Sequence, residues 1–152
     1  MGFRFPLEAL LRLRVTLTRQ EEMRLEAISQ KLGAARHQRE LLLKRKREYE
    51  VKFAADMTAG LPAGEVQFRY TGRRGLAEAE KQIDQTILAL ERAWQEQQQK
   101  FIEARQRQEV METVRDGQLA TYQEDQRRRD QQMVDDLFLA GMNREKAEKQ
   151  RN

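Results

Sequence analysis

Glu21-Glu22 and Asp135-Asp136 are adjacent carboxylate pairs of the kind that acid/base catalysis or cation binding uses, and His37 is the one imidazole in the sequence. Neighbouring carboxylates do such chemistry only in a cleft that strips water from one of them and moves its pKa toward neutrality. The absence of cysteine excludes disulfides, thiolate metal clusters and cysteine nucleophiles, and with His37 alone neither an imidazole metal cluster nor a serine-histidine triad is expected. Gly72-Arg73-Arg74-Gly75 lacks the spacing and the lysine of a phosphate-binding loop. The runs Lys44-Arg45-Lys46-Arg47 and Arg127-Arg128-Arg129 are the remaining candidates, as phosphate-backbone contacts in a chain of pI about 9.6.

What these residues can do depends on the elements that hold them. Ala, Glu, Lys, Leu and Arg supply 80 of the 152 residues, the composition of long helices or coiled coils. Leu, Ile, Val and Phe supply only 33, too few for a thick globular core. On a helix, consecutive basic residues point around the whole circumference, and neither run is interleaved with aromatics for base stacking. Nucleic acid is therefore not an expected partner, and neither a metal, a cofactor nor catalysis is expected. The longest apolar run of the opening Phe3–Leu13 stretch is Ala9-Leu10-Leu11, so it is not the core of a signal peptide. No segment approaches the roughly 20 apolar residues that span a bilayer, which predicts a cytoplasmic protein, at most peripheral to a membrane.

The only prolines are Pro6 and Pro62, and Gly60, Gly64, Gly72 and Gly75 gather around the second. This punctuation predicts a single all-α domain: helix 1 over about 7–57, a linker over about 58–75, helix 2 over about 76–140, and a flexible tail over about 141–152 beginning at Gly141. At 1.5 Å per residue the helices would be roughly 75 Å and 95 Å long. Val66, Phe68 and Tyr70 alternate like a strand, but a strand without a partner leaves its edges unsatisfied, so a short helix or a helical extension is expected there.

In the first segment Leu25, Ile28, Leu32, Ala35, Arg39, Leu42, Lys46, Tyr49 and Phe53 step by alternating threes and fours. The second gives Leu76, Glu80, Ile83, Ile87, Leu90, Trp94, Gln97, Phe101, Ala104, Gln108 and Met111. Neither stripe can be buried alone, so the expected architecture is a long antiparallel two-helix coiled-coil hairpin. Residues 7–57 carry 12 basic and 8 acidic side chains, residues 76–140 carry 9 and 14, so the arms attract. Folding about the linker makes facing numbers add to roughly 132, which sets Tyr49 near Ile83, Leu42 near Leu90 and Leu32 near Phe101. Past about Gln126 helix 2 outruns its partner, exposing Arg127 to Arg129 and then Met133, Leu137 and Phe138. Phe3, Phe5, Leu7, Leu10, Leu11, Leu13 and Leu17 are denser than one seam requires. They either pack on helix 2 near Tyr122 to Met133 or form, with the overhang, a docking tip.

The opening Phe3-Arg4-Phe5-Pro6-Leu7-Glu8-Ala9-Leu10-Leu11-Arg12-Leu13-Arg14 with Glu21-Glu22 resembles the start of the flagellar export protein FliJ family. Arg47-Glu48-Tyr49-Glu50 and Asp56-Met57-Thr58-Ala59-Gly60 are similar to the family's aromatic approach to a glycine-containing bend. Arg129-Asp130-Gln131-Gln132-Met133-Val134-Asp135-Asp136 resembles its C-terminal run. The resemblance implies a non-enzymatic component of the type III export apparatus at the flagellar base, peripheral to the inner membrane through its partners. It would act as a central stalk that promotes assembly and activity of the hexameric export ATPase and links it to the export gate protein FlhA and to export chaperones. Carried over by position, the gate-binding surface is Gly72, Leu76, Ala79 and Ile83. Gly72 stands where the family has a bulky apolar residue, with Phe68 and Tyr70 nearby to substitute. Ring contacts are expected from the terminal end: Phe5, Leu10, Leu11, Arg14, Arg127, Arg128 and Arg129. A monomer is expected. The competing readings are a homodimeric coiled-coil scaffold or adaptor and the equivalent stalk of a virulence secretion system.

Overall fold

The computed structural model describes residues 2–151, and these form two helices packed against one another, α1 at Glu8–Ala59 and α2 at Ala63–Arg151. Among the described residues there is no strand, and no helix is long and apolar enough to cross a membrane. The bend between the helices is Gly60-Leu61-Pro62. Gly60 has φ +88°, a left-handed conformation that a Cβ opposes, and its N–H donates to Met57 O at 3.3 Å as a helix C-terminal stop. Pro62 O accepts from Glu65 N at 3.0 Å and Val66 N at 3.1 Å, which opens α2.

Two boundaries differ from the sequence expectation. α2 begins at Ala63 instead of about 76, so the expected linker shrinks to the bend and the Val66–Tyr70 alternation lies on a helix. The glycines at 64, 72 and 75 each cost about 1 kcal/mol in a helix, and contacts to α1 described below offset that. At the other end α2 runs through Gly141 to Arg151, so 141–151 is helix instead of a flexible tail. The good helix formers of Arg144 to Lys149, with Glu145 four residues before Lys149 and no proline after, outweigh one glycine.

Packing falls into two compact units, residues 17–104 and the segments up to Thr16 and from Arg105 onward. In the first, α1 turns a continuous heptad stripe inward: Thr18, Glu21, Leu25, Ile28, Leu32, Ala35, Arg39, Leu42, Lys46, Tyr49, Phe53 and Asp56 are all buried or half-buried. Leu32, Ala35 and Ile87 form its core, with Ile83 and Leu90 packed on them. The seam is thin, with Gln97 buried and donating to both Glu21 O and the Glu21 carboxylate.

Register follows from the short bend. Arg36 reaches Glu91, Arg39 Asp84, Lys46 Glu80, Glu50 Arg73 and Asp56 Arg69, so facing numbers add to about 125 and not 132. The helices sit about one heptad from the expected register because the fold is centred near residue 61. The ion pairs also reverse sign along the seam: α1 supplies the cation at Arg36, Arg39 and Lys46 and the anion at Glu50 and Asp56. In the second unit Phe3 meets Tyr122, ring centroids 5.6 Å apart, and Phe5 and Leu11 are buried. From Arg127 to Arg151 every residue of α2 is exposed.

Candidate functional site

Neither carboxylate pair lies in a cleft. Glu21 is half-buried and spends its oxygens on Arg24, at 2.9 Å, and on Gln97, whereas Glu22, Asp135 and Asp136 are exposed. Among the described residues no group of His, Asp and Glu is arranged to hold a metal ion. The concave surfaces of residues 17–104 are open grooves between the helices, one floored by Gly33 and Leu32 beside Trp94, whose indole N–H donates to Ser29 Oγ at 2.9 Å. Its neighbour contains Arg39, whose guanidinium is held above its ordinary pKa by the hydrogen bond and charge of Asp84 2.5 Å away. An arginine so paired stays a cation, which suits it to fixing register.

The chemistry this surface offers is binding, and it concentrates in two places. At the bend, α1 and α2 are clasped by aromatic and charged side chains. Tyr49 Oη donates to Arg69 O at 2.6 Å, the Phe53 and Tyr70 rings meet edge-on at 5.3 Å, and Arg73 lies 6.0 Å from the Phe53 centroid while pairing with Glu50 at 2.7 Å. Gly72, Leu76, Ala79 and Ile83 are half-buried on the seam face of α2. Ile83 packs on the core, and Gly72 lies beneath the Tyr49 ring, so a Cβ there would be 2.5 Å from Tyr49 Oη. Among the large apolar side chains of this region the most exposed is Phe68, at 77%, whose i+4 position on α2 is occupied by Gly72.

The second place is the unit built from the segment up to Thr16 and from Arg105 onward. Of the expected ring contacts, Phe5 and Leu11 are buried at 8% and 3% exposure and hold this unit together. Leu10, Arg127, Arg128 and Arg129 are exposed, Arg14 is half-buried, and Arg128 pairs with Glu124 at 3.3 Å. On the same stretch of α2, Met133, Val134, Leu137, Phe138, Leu139 and Met142 are all exposed. Sequence patterning flags Met133, Leu137 and Phe138; the exposure of Val134 and Leu139 adds to them, and Met142 joins because α2 continues past Gly141 as helix.

No curated protein and no solved structure matches the chain. Residues 3–147 of the 152 match the family described as "Flagellar FliJ protein". The chain therefore belongs to the FliJ family, a family of non-catalytic components associated with flagellar protein export.

Proposed function

We propose that this chain is the central stalk of the flagellar export ATPase, promoting assembly and activity of the hexameric ring and linking it to the gate protein FlhA and to export chaperones. The observation that carries this reading is the helix from Arg127 to Arg151, exposed on every side and bearing a run of large apolar side chains that a soluble surface leaves bare at a cost. Arg127 to Arg129 beside that run supply long-range attraction for an acidic wall. Leu10 and Arg14 contribute from α1, and Phe5 and Leu11 act indirectly by holding the terminal unit together. The gate contact is assigned to the start of α2, where Gly72, Leu76, Ala79 and Ile83 keep partial exposure and Phe68 projects furthest.

The stalk works by coupling. Contacts from one chain to six ring subunits are unequal, and they bias conformations of the ring to the extent that they favour one state over another. The monomeric state is supported by five ion pairs made between α1 and α2 of the same chain. Localisation to the cytoplasmic face of the inner membrane follows through the partners. The deciding experiment is ATP hydrolysis by the cognate export ATPase with and without the chain. Stimulation is expected, and it is lost on reversing the charges of Arg127 to Arg129 with helicity retained. Absence of stimulation overturns the reading, and a dimer in sedimentation overturns the monomer.

A further inference from the structure

The apolar seam of residues 17–104 repeats every seven residues, so it does not by itself select one register. Sliding α1 by one heptad takes Leu42 from the level of Ile83 to that of Leu90 and Tyr49 from that of Leu76 to that of Ile83. Large apolar side chains still meet at these two levels, while Ala35 passes from the level of Leu90 to that of Gln97. The polar contacts do not survive the same slide: Glu50 leaves Arg73 for the level of Glu80, Lys46 leaves Glu80 for that of Ile87, and only Arg39 gains a carboxylate, Glu91.

The observed register is thus selected by polar pairs and by the clasp at the bend. Tyr49 bonds to Arg69 O only because Gly72 offers no Cβ, and Arg69 itself is tied to Asp56 at 2.6 Å. A slide by seven residues needs seven residues released from the start of α2, which are Ala63 to Arg69. That turn contains Gly64 and is opened by Pro62. Gly72 and Gly75 follow it, so the segment to be unwound and its neighbour are the poorest helix formers in α2.

We propose that the α1–α2 pair has a second register one heptad away, held off by the Tyr49–Gly72 clasp. Lifting Tyr49 slides the helices by about 10 Å, seven residues at 1.5 Å each. A partner that docks at the bend and displaces the Tyr49 ring is then read as a displacement at the far end of the same unit.

The chain has no cysteine, so spin labels go only where they are introduced. Glu48→Cys and Gln99→Cys are exposed positions on the two helices of this unit, and the slide brings them closer lengthwise. Pulsed dipolar spectroscopy of the labelled full chain is expected to show one distance. Adding Gly72→Leu, which improves helix propensity while evicting Tyr49, is expected to create a second population shorter by on the order of 10 Å. Should that variant lose helicity by circular dichroism, Glu50→Gln with Asp56→Asn removes the clasp's ion pairs without changing its volume and carries the same expectation. An unchanged single distance in both variants overturns the proposal. Two comparable populations in the unaltered background also overturn it, since the clasp would then hold nothing.

Discussion

Replacing Phe53 by alanine removes the most connected side chain near the bend. Phe53 is 7% exposed, stacked with Tyr49 at 6.5 Å, edge-on to Tyr70 at 5.3 Å and beneath Arg73. Burying such a ring is worth about 2–3 kcal/mol, and an edge-on aromatic pair adds about 0.5–1.5 kcal/mol. The site lies next to a bend and relaxes more readily than a globular core, so the expected loss falls at the low end of the phenylalanine-to-alanine range, about 3 kcal/mol. That is a large share of the roughly 5–15 kcal/mol that holds a domain folded. Urea titration followed by fluorescence of Trp94, the only tryptophan and a member of the same unit, reads it directly. Phe138→Ala is the control, because Phe138 is 67% exposed and its removal is expected to cost less than about 0.5 kcal/mol. A loss below about 1 kcal/mol at Phe53, or equal losses at the two phenylalanines, would refute the assignment of Phe53 to the clasp.

Leu11→Ala is expected to destabilise the terminal unit by about 2–3 kcal/mol while Leu13→Ala, half exposed, stays within about 0.5 kcal/mol, as thermal unfolding followed by circular dichroism will check. A double-mutant cycle on Lys46→Glu and Glu80→Lys should return a coupling near 0.5 kcal/mol, with each single variant less stable than the swapped pair. Phe68→Ala should leave stability within about 0.5 kcal/mol and weaken capture of the gate protein, if the start of α2 is the gate contact.

The heptad spacing of Leu25 to Phe53 was enough to read two paired helices, because burying a 3.5-residue stripe has few solutions. The same spacing hid the register, since a seven-residue slip still sets Leu42 and Tyr49 against large apolar side chains. Gly60 and Pro62 decide it, and they did not stand apart from Gly64, Gly72 and Gly75 as letters. Only the space above Gly72, filled by Tyr49, shows that a glycine in a helix here serves a neighbouring helix and not a turn. At the terminal end, composition could not separate Leu11 from Leu10 or Leu13. They differ by which side of α1 they occupy, and that depends on the helix phase fixed by Leu11, Arg14 and Thr18 on the inward stripe.

On α2 that phase continues past the level at which α1 begins. Leu119, Tyr122 and Gln126 are half-buried, and the same alternation of threes and fours then runs through Arg129, Met133, Asp136 and Ala140 on fully exposed helix. If the ring reads this end of α2 as a continuation of the seam, a charge at Met133 or Ala140 should abolish ATPase stimulation. Met142 is also exposed and apolar, yet it projects from the face of α2 opposite Met133, nine residues and about 180° away at 100° per residue. Met142→Glu should therefore spare stimulation that Met133→Glu and Ala140→Glu remove, with helicity equal in all three. Equal loss from all three would mean that the surface acts by general hydrophobicity, and the seam would have no bearing on how the partner is recognised.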